Sequence, residues 1–470
     1  MRLPFRDRFW LASLDGHGAI GTIGLDMTLA HTRWTPHRRI DDTVVMQSYL
    51  GSASGCANYF ALGGAACNAA QQESFDGFVR ASGPAVLDQP FQVDSTLAEL
   101  RASGTGSLDW TAGAYAAQRI DRGETQTYQV DTTSGLPLAD AVSSYKRDFR
   151  TRLLDYALFA DGTLDLQGGL SLALGGRYFL YRRAARGTVS LPSRIVEPYT
   201  ASSFDAHYRA HGFVGRARID LRPGHGVLAY AQVASGFRPG GINVVPGLPD
   251  ADASYRDDRL VNFELGTRVT LPEAGLHVDL TGFHQLWSHM QYGATSTDGG
   301  YSFITNLGAA RISGVEASVS WEGLAGLRTR LAATYTDARL SRDQDSTAAT
   351  ASGRKGDRLL YVAPLAVSSS LSYETAIGAG FALEGGLDAR YVGPSYSAFP
   401  DSTQLTRLRM GDMVTLDADL GVSRKADRLS FFVENLTGTR AVVWAGTVMG
   451  TDTVRRTRRR QLGLRYSRTF

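Results

Sequence analysis

Five arginines crowd into Arg455-Arg456-Thr457-Arg458-Arg459-Arg460. Guanidinium forks at that density can hold phosphate or carboxylate groups through paired, charge-assisted hydrogen bonds. The run could also pass for a nucleic-acid tract, but it sits just before the final strand, which favours a rim position and no nucleic-acid partner. Gly16-His17-Gly18-Ala19-Ile20-Gly21 has the spacing of a dinucleotide loop. The residues after it alternate as a strand, so the helix N-terminus that would cradle a pyrophosphate is missing. Cys56 and Cys67 are the two cysteines. In an oxidising compartment they would close a small ring, and in a reducing one they would stay free thiols. The nine histidines lack metal-ligand spacing, and no nucleophile stands in register with a base. Catalytic residues, cofactor and metal ligands are therefore not expected, and the chain does not read as an enzyme. Asn435-Leu436-Thr437 is a glycosylation sequon only in a eukaryotic secretory setting.

The elements that must carry these residues show a two-residue period. In Phe381–Tyr391, Phe381, Leu383, Leu387, Ala389 and Tyr391 share one face, and Glu384, Asp388 and Arg390 share the other. A helix would spread those charges around its circumference. Leu276, Val278 and Leu280 oppose His277, Asp279 and Thr281 in the same way, and Val414, Leu416 and Leu420 oppose Thr415, Asp417 and Asp419. Segments of roughly ten residues are the length a tilted membrane strand needs. Short turns are expected near Asp15–Gly18, Gly104–Gly106, Gly162–Gln167, Arg222–Gly224, Pro272–Gly275, Gly323–Gly326, Ala376–Gly378 and Lys425–Asp427. Long polar connections lie between them, near 36–92, 122–147, 184–204, 241–259, 288–302, 340–357, 394–411 and 438–456. That asymmetry predicts an all-β, antiparallel transmembrane barrel of seventeen strands. The first (about 8–14) and last (about 459–470) would then run parallel, so the wall is expected to be incomplete there.

Composition agrees with this reading. Hydrophobic residues make up 43% and charged residues 20%, which argues against disorder, and no apolar run is long enough for a transmembrane helix. Glycine (52) and aromatics (10%) suit tight turns and interfacial rings. The net charge of +3 names no partner. Met1-Arg-Leu-Pro-Phe-Arg-Asp-Arg8 leads into no apolar core, so no export leader is expected at this end.

The segment Gly236-Phe237-Arg238-Pro239-Gly240-Gly241-Ile242-Asn243 resembles a barrel strand end of TonB-dependent outer-membrane receptors. Further matches follow in order: Asn262-Phe-Glu264-Leu-Gly266, then Asn306-Leu-Gly, Gly314-Val-Glu316 and Phe432-Val-Glu-Asn435. The end of the chain is similar to the terminal strand read by the barrel assembly machinery. Leu462, Leu464, Tyr466 and a final Phe470 share one face, although Arg468 departs from that pattern. The resemblance covers nearly the whole chain as one barrel domain, residues 1–470. It implies a receptor in the bacterial outer membrane that takes up a scarce substrate, usually an iron–siderophore complex. Its partners would be outer-membrane lipid and, in a full-length parent, the energy-transducing TonB complex. The family's barrel has about 22 strands around a plug. The resemblance therefore implies that the plug and some five strands are missing here. A plugless passive pore and a non-functional receptor fragment are the alternatives. The motif residues read as structural, with glycines allowing sharp turns and Glu264 and Glu316 facing the lumen.

Overall fold

In an extended chain without helix-favouring periodicity, backbone groups are satisfied by neighbouring strands, and here almost every strand is paired to the next in sequence. A computed structural model of the chain describes residues 3, 5–141, 143–193, 195, 201–224, 226–245, 248, 252–295, 302–344, 352–402, 406–448 and 451–469. The wall begins with β1 (Phe9–Ile20) and β2 (Ile23–Trp34), the latter prolonged by His37–Asp41. A helical insertion follows, made of α1 (Thr43–Gln47), α2 (Ala53–Tyr59) and α3 (Ala69–Ala81). Long strands come next: β3 (Ala85–Gly104), β4 (Leu108–Gln129), β5 (Ser143–Asp165), β6 (Leu170–Leu191) and β7 (Ser202–Gly224). Then come β8 (Val227–Arg238), β9 (Asp258–Leu271), β10 (Leu276–Ser288), β11 (Ala309–Leu324) and β12 (Leu327–Arg342). The wall ends with β13 (Leu365–Gly378), β14 (Phe381–Val392), β15 (Met413–Arg424), β16 (Asp427–Glu434) and β17 (Gln461–Arg468).

Every consecutive pair is antiparallel, from β1 on β2 to β16 on β17, giving one sheet of seventeen strands. Among the described residues no register joins β1 to β17. That is what an odd count demands, because the first and last strands point the same way. Among the described residues, too, no helix is long and apolar enough to cross a membrane, which has no bearing on strands.

Register sorts the two faces. Leu462 and Leu464 stand on the outward face, 69% and 73% exposed. Gln461, Gly463, Arg465 and Ser467 line the other face, in register with Glu434, Phe432, Ser430 and Arg428. Arg428 there pairs with Glu384 (2.6 Å) and Asp419 (2.9 Å) from two other strands. Ion pairs concentrated on one face and bare leucines on the other mark a wet lumen and an apolar exterior.

Three expectations need correction. The first short turn is Gly21–Thr22, closed by Ile20 facing Ile23, and Asp15–Gly18 lies inside β1. Asp15 and His17 look like turn residues but are lumen-side partners of Thr28 (2.8 Å) and Asp26 (2.6 Å). Residues 36–92 hold no extra wall strand, and they are not a plain polar loop. Their polar surface hides Met46, Cys56, Phe75 and Val79, which pack into a small core. Asn68 caps α3 by accepting from the Gln71 amide at 2.9 Å, and Gln71 returns the bond to the Asn68 amide. Cys56 and Cys67 are disulfide-bonded, with Cα atoms 6.2 Å apart, tying α2 to the approach of α3. Finally, Gly240 and Gly241 do not carry a left-handed turn. Added side chains there would meet Tyr255, and a Cβ on Gly240 would also lie 2.6 Å from the Tyr208 hydroxyl, so close approach explains these glycines. Gly236 has open space around it.

Gly326 and Gly380 separate two costs of a side chain at a short turn. Both have positive φ (79° and 75°), but a methyl group on Gly326 would also run into the Glu374 carbonyl, whereas Gly380 is free of neighbours. Gly380→Ala should cost about 1 kcal/mol for the backbone alone. Gly326→Ala should cost distinctly more, seen as a lower unfolding temperature of the sheet in micelles.

Candidate functional site

The face that could meet a ligand is the upper lumen, where strand ends meet the long connections. Its geometry starts from a break in the wall. β7 and β8 pair only over Arg216–Gly224 and Val227–Ala234. Above that level Ser235 bonds the backbone of Gly215, with its Oγ 2.9 Å from the amide, and β8 leans inward. Phe237 then stacks on lumen-facing Phe179 with ring centroids 3.7 Å apart, beside Tyr181 and Tyr208. The Tyr181 hydroxyl accepts from the Gly240 amide at 2.7 Å. Aromatic stacking thus fixes where the next connection enters the barrel mouth.

The sequence-predicted motif residues sit at this rim and act mostly on backbone. The Arg238 guanidinium pairs with Asp258, a buried carboxylate that also accepts from Trp287 Nε1 at 2.9 Å. Three donors converge on Asp258 at the mouth: the Arg238 guanidinium, the Arg238 amide and Trp287 Nε1. Asn243 donates to the Asp252 and Ile304 carbonyls, both at 2.7 Å, and accepts from the Ile304 amide at 2.9 Å. Asn306 donates to the Arg256 (2.9 Å) and His289 (2.8 Å) carbonyls. Asn435 bridges the Thr439 and Arg458 carbonyls. Three asparagines, far apart in sequence, each pin one external connection to a strand end. Pro239 follows the last residue of β8, where a missing donor costs no ladder bond.

Deeper in the lumen, Glu264 accepts from Asn262 and Gln232. Gly266 faces the Tyr230 ring, and Gly314 faces Phe283, so both leave room for an aromatic neighbour. Glu316 stands opposite Thr281 and Thr334. Leu462, Leu464 and Tyr466 line the outward edge of β17, and Phe470 lies outside the described residues.

What the site offers a ligand is charge and space. A cavity of about 320 Å³ lies between the wall residues Arg119, Asp121 and Arg183 and the entering segment at Ile242 and Val244. Arg147 donates to the Val244 carbonyl at 2.8 Å, fastening that segment to β5. Lower down, a groove of about 580 Å³ is lined by Arg330, Asp388, Arg390, Asp417 and wall serines. Among aromatic residues of the external connections, Tyr292 is packed between two small cores. Tyr396 lies under Arg407 and Arg455 lies over Trp444, while Tyr301 is outside the described residues. Among the described residues no cluster of histidines, cysteines or carboxylates could hold a metal.

The model of the family "TonB dependent receptor-like, beta-barrel" matches residues 12–436. The chain belongs to the TonB-dependent receptor β-barrel family. Its members are transport receptors rather than enzymes, and their barrels sit in bacterial outer membranes. The pesticin receptors of Yersinia enterocolitica and Yersinia pestis are each 26% identical to this chain over 219 residues. The match takes in 44% of this chain and 28% of each relative, so the chain spans well under two thirds of those receptors. Among solved structures, the ferric yersiniabactin uptake receptor FyuA from Yersinia pestis superposes with a TM-score of 0.73 at 17% identity, over 100% of this chain and 62% of that one. The siderophore receptor PiuA from Acinetobacter baumannii gives 0.68 at 13%, covering 98% and 64%. The copper transporter OprC gives 0.66 at 12%, covering 99% and 68%. At these identities the likeness establishes the fold.

The helical insertion over the receptor mouth carries a pH-sensitive group. Burial pushes the Asp42 carboxyl up to about 6, and the neighbouring Asp41 carboxylate adds to the rise. A carboxyl raised in the folded state disfavours folding once it ionises, so the insertion should loosen as pH climbs from about 4 through 6. Asp42→Asn should slow amide exchange in α1–α3 at pH 7.5 and leave it unchanged at pH 4. Equal exchange at both pH values would count against this.

Proposed function

We propose that this chain is the barrel wall of an outer-membrane receptor that imports a scarce iron–siderophore complex using energy from the TonB complex. The observation that carries the reading is the seventeen-strand family wall, with its ion-paired lumen and inward-leaning connection at Gly236–Asn243. Of the three structural relatives named above, one is a siderophore receptor and one takes up ferric yersiniabactin, which favours an iron-complex cargo. In this reading, the plug and the remaining strands that complete the family's barrel are supplied from outside these 470 residues. The lumen-facing Arg330, Asp388, Arg390 and Asp417 would be their contact surface. The outer leaflet and the assembly machinery are the remaining partners, the latter reading β17.

A passive pore is the second reading, favoured by the polar lumen grooves. In a strain without siderophore receptors, the exported chain alone should give no TonB-dependent uptake of labelled ferric siderophore. Placing the plug domain and the preceding wall strands of a related receptor before it should restore such uptake. Leak of small solutes that is equal with and without TonB would favour the pore.

The wall assignment has its own test. Leu383 points outward and Asp388 inward on β14. At mid-membrane an outward arginine costs about 2–4 kcal/mol, while a lumenal one meets water. Leu383→Arg should therefore lower the outer-membrane yield of the chain well below that of Asp388→Arg, and equal yields would remove the assignment.

A further inference from the structure

The two-residue period of β8 breaks at its top. Ala229, Ala231 and Val233 face outward, opposite Leu221, Ile219 and Ala217 of β7. By that period Ser235 and Phe237 would face outward too. Instead Ser235 turns onto the Gly215 backbone, its hydroxyl accepting from the amide at 2.9 Å and donating to the carbonyl at 3.3 Å. Phe237 reaches the lumen side and stacks on Phe179. Gly236, between them, has open space around it and no side chain to obstruct a swing.

The departure leaves an edge behind. β7 runs on beside β6 to Ser202, but above Gly215 its other edge has no ladder partner among the described residues. Phe213 on that stretch is 64% exposed and stands beside Tyr178 on the apolar outer face. Leu221 to Phe213 lies within the roughly 9–11 residues that a tilted strand needs to cross hydrocarbon, so the edge opens at membrane depth. Backbone donors and acceptors are costly to leave bare there. Extending the existing register would put Gly215 against Ser235, Val214 against Gly236 and Phe213 against Phe237. Alternate pairs in an antiparallel ladder carry the bonds, so Gly215–Ser235 and Phe213–Phe237 would each exchange two. Pro239, which has no N–H, then limits the zip at His211.

We propose that the top of β8 is a two-position gate, seated in the lumen as described above or zipped onto β7 within the wall. The seated form is held by the Phe179–Phe237 stack, the Ser235 bonds and Tyr181 accepting from the Gly240 amide at 2.7 Å. The zipped form exchanges these for ladder bonds and returns Phe237 to the lipid side, beside Phe213. β8 keeps its partner in both, since its pairing with β9 runs unbroken from Val227–Val269 to Arg238–Asp258. Zipping lifts Ile242 and Val244 from the wall and opens the cavity they share with Arg119, Asp121 and Arg183 to the barrel mouth. A ligand that fills this space stabilises the zipped form. The gate rests on the wall assignment and not on the cargo.

The test uses the whole chain refolded in nonionic maltoside micelles, with the strand signal in circular dichroism as the check of fold. Phe213→Cys with Phe237→Cys places thiols on opposite faces of β7 when β8 is seated, and side by side when it is zipped. The new disulfide is located by mass spectrometry of peptides, which separates it from Cys56–Cys67. Mild oxidation should close it in most folded molecules, and a control pair, Phe213→Cys with Val233→Cys, should stay open. Adding Ser235→Ala or Tyr181→Phe removes a bond of the seated form only, so each should speed closure about tenfold. No closure in the folded chain overturns the gate, as does closure at an equal rate in the control pair. Unchanged rates in both added variants also overturn it, because the seat would then not be what β8 leaves. A chain that gains no strand signal overturns the wall assignment together with the gate.

Discussion

Antiparallel pairing without interruption is the constraint on which this molecule depends. In hydrocarbon, water cannot satisfy an exposed backbone donor or acceptor, and each one left bare costs several kcal/mol. Sixteen consecutive pairings meet that demand from β1 to β17. Once the pairing is fixed, the two-residue period decides everything about the side chains. A slip of one residue would carry Glu384, Asp388 and Arg390 outward and Leu383 and Leu387 inward. Charge therefore locks the register as firmly as apolar packing does in a soluble core.

The same constraint explains where the wall yields. β7 and β8 are paired from Gly224 to Arg216, Ser235 takes up the Gly215 backbone, and the two strands separate beyond it. Separation releases the top of β8 to lean inward, and the Phe179–Phe237 stack gives it a fixed seat. The connection it delivers is then held by side-chain amides and not by sheet. Asn243, Asn306 and Asn435 each offer a donor and an acceptor on one short arm, so each can substitute for a missing ladder rung. The rim stays ordered although the sheet beneath it has ended.

Much of this was legible in the residues. Alternation survives in the sequence because a wet lumen needs polar side chains at every second position, and the strand count followed from turns that must be short on one side. The misplaced first turn has a physical reason: Asp15, His17 and their glycines look like turn chemistry when their lumen-side partners, Thr28 and Asp26, are unknown. The helical insertion was hidden because its core is four small contributions, Met46, Cys56, Phe75 and Val79, scattered through Gly, Ser and Asn. The inward lean of β8 was invisible for another reason, since it depends on Ser235 meeting a backbone group of a different strand.

Cross-strand neighbours also account for why the outer wall differs from one side to the other. A pattern read along one strand shows only that an arginine follows an apolar run, which is ordinary at a membrane boundary. Only register reveals that Arg150 meets Arg122 and Arg186 at one height. Some lumen charges are matched strand against strand, as with Arg268 on Asp279 and Arg216 on Asp161 at 2.9 Å. The outward rim of β4–β7 leaves most of its cations unresolved within the chain.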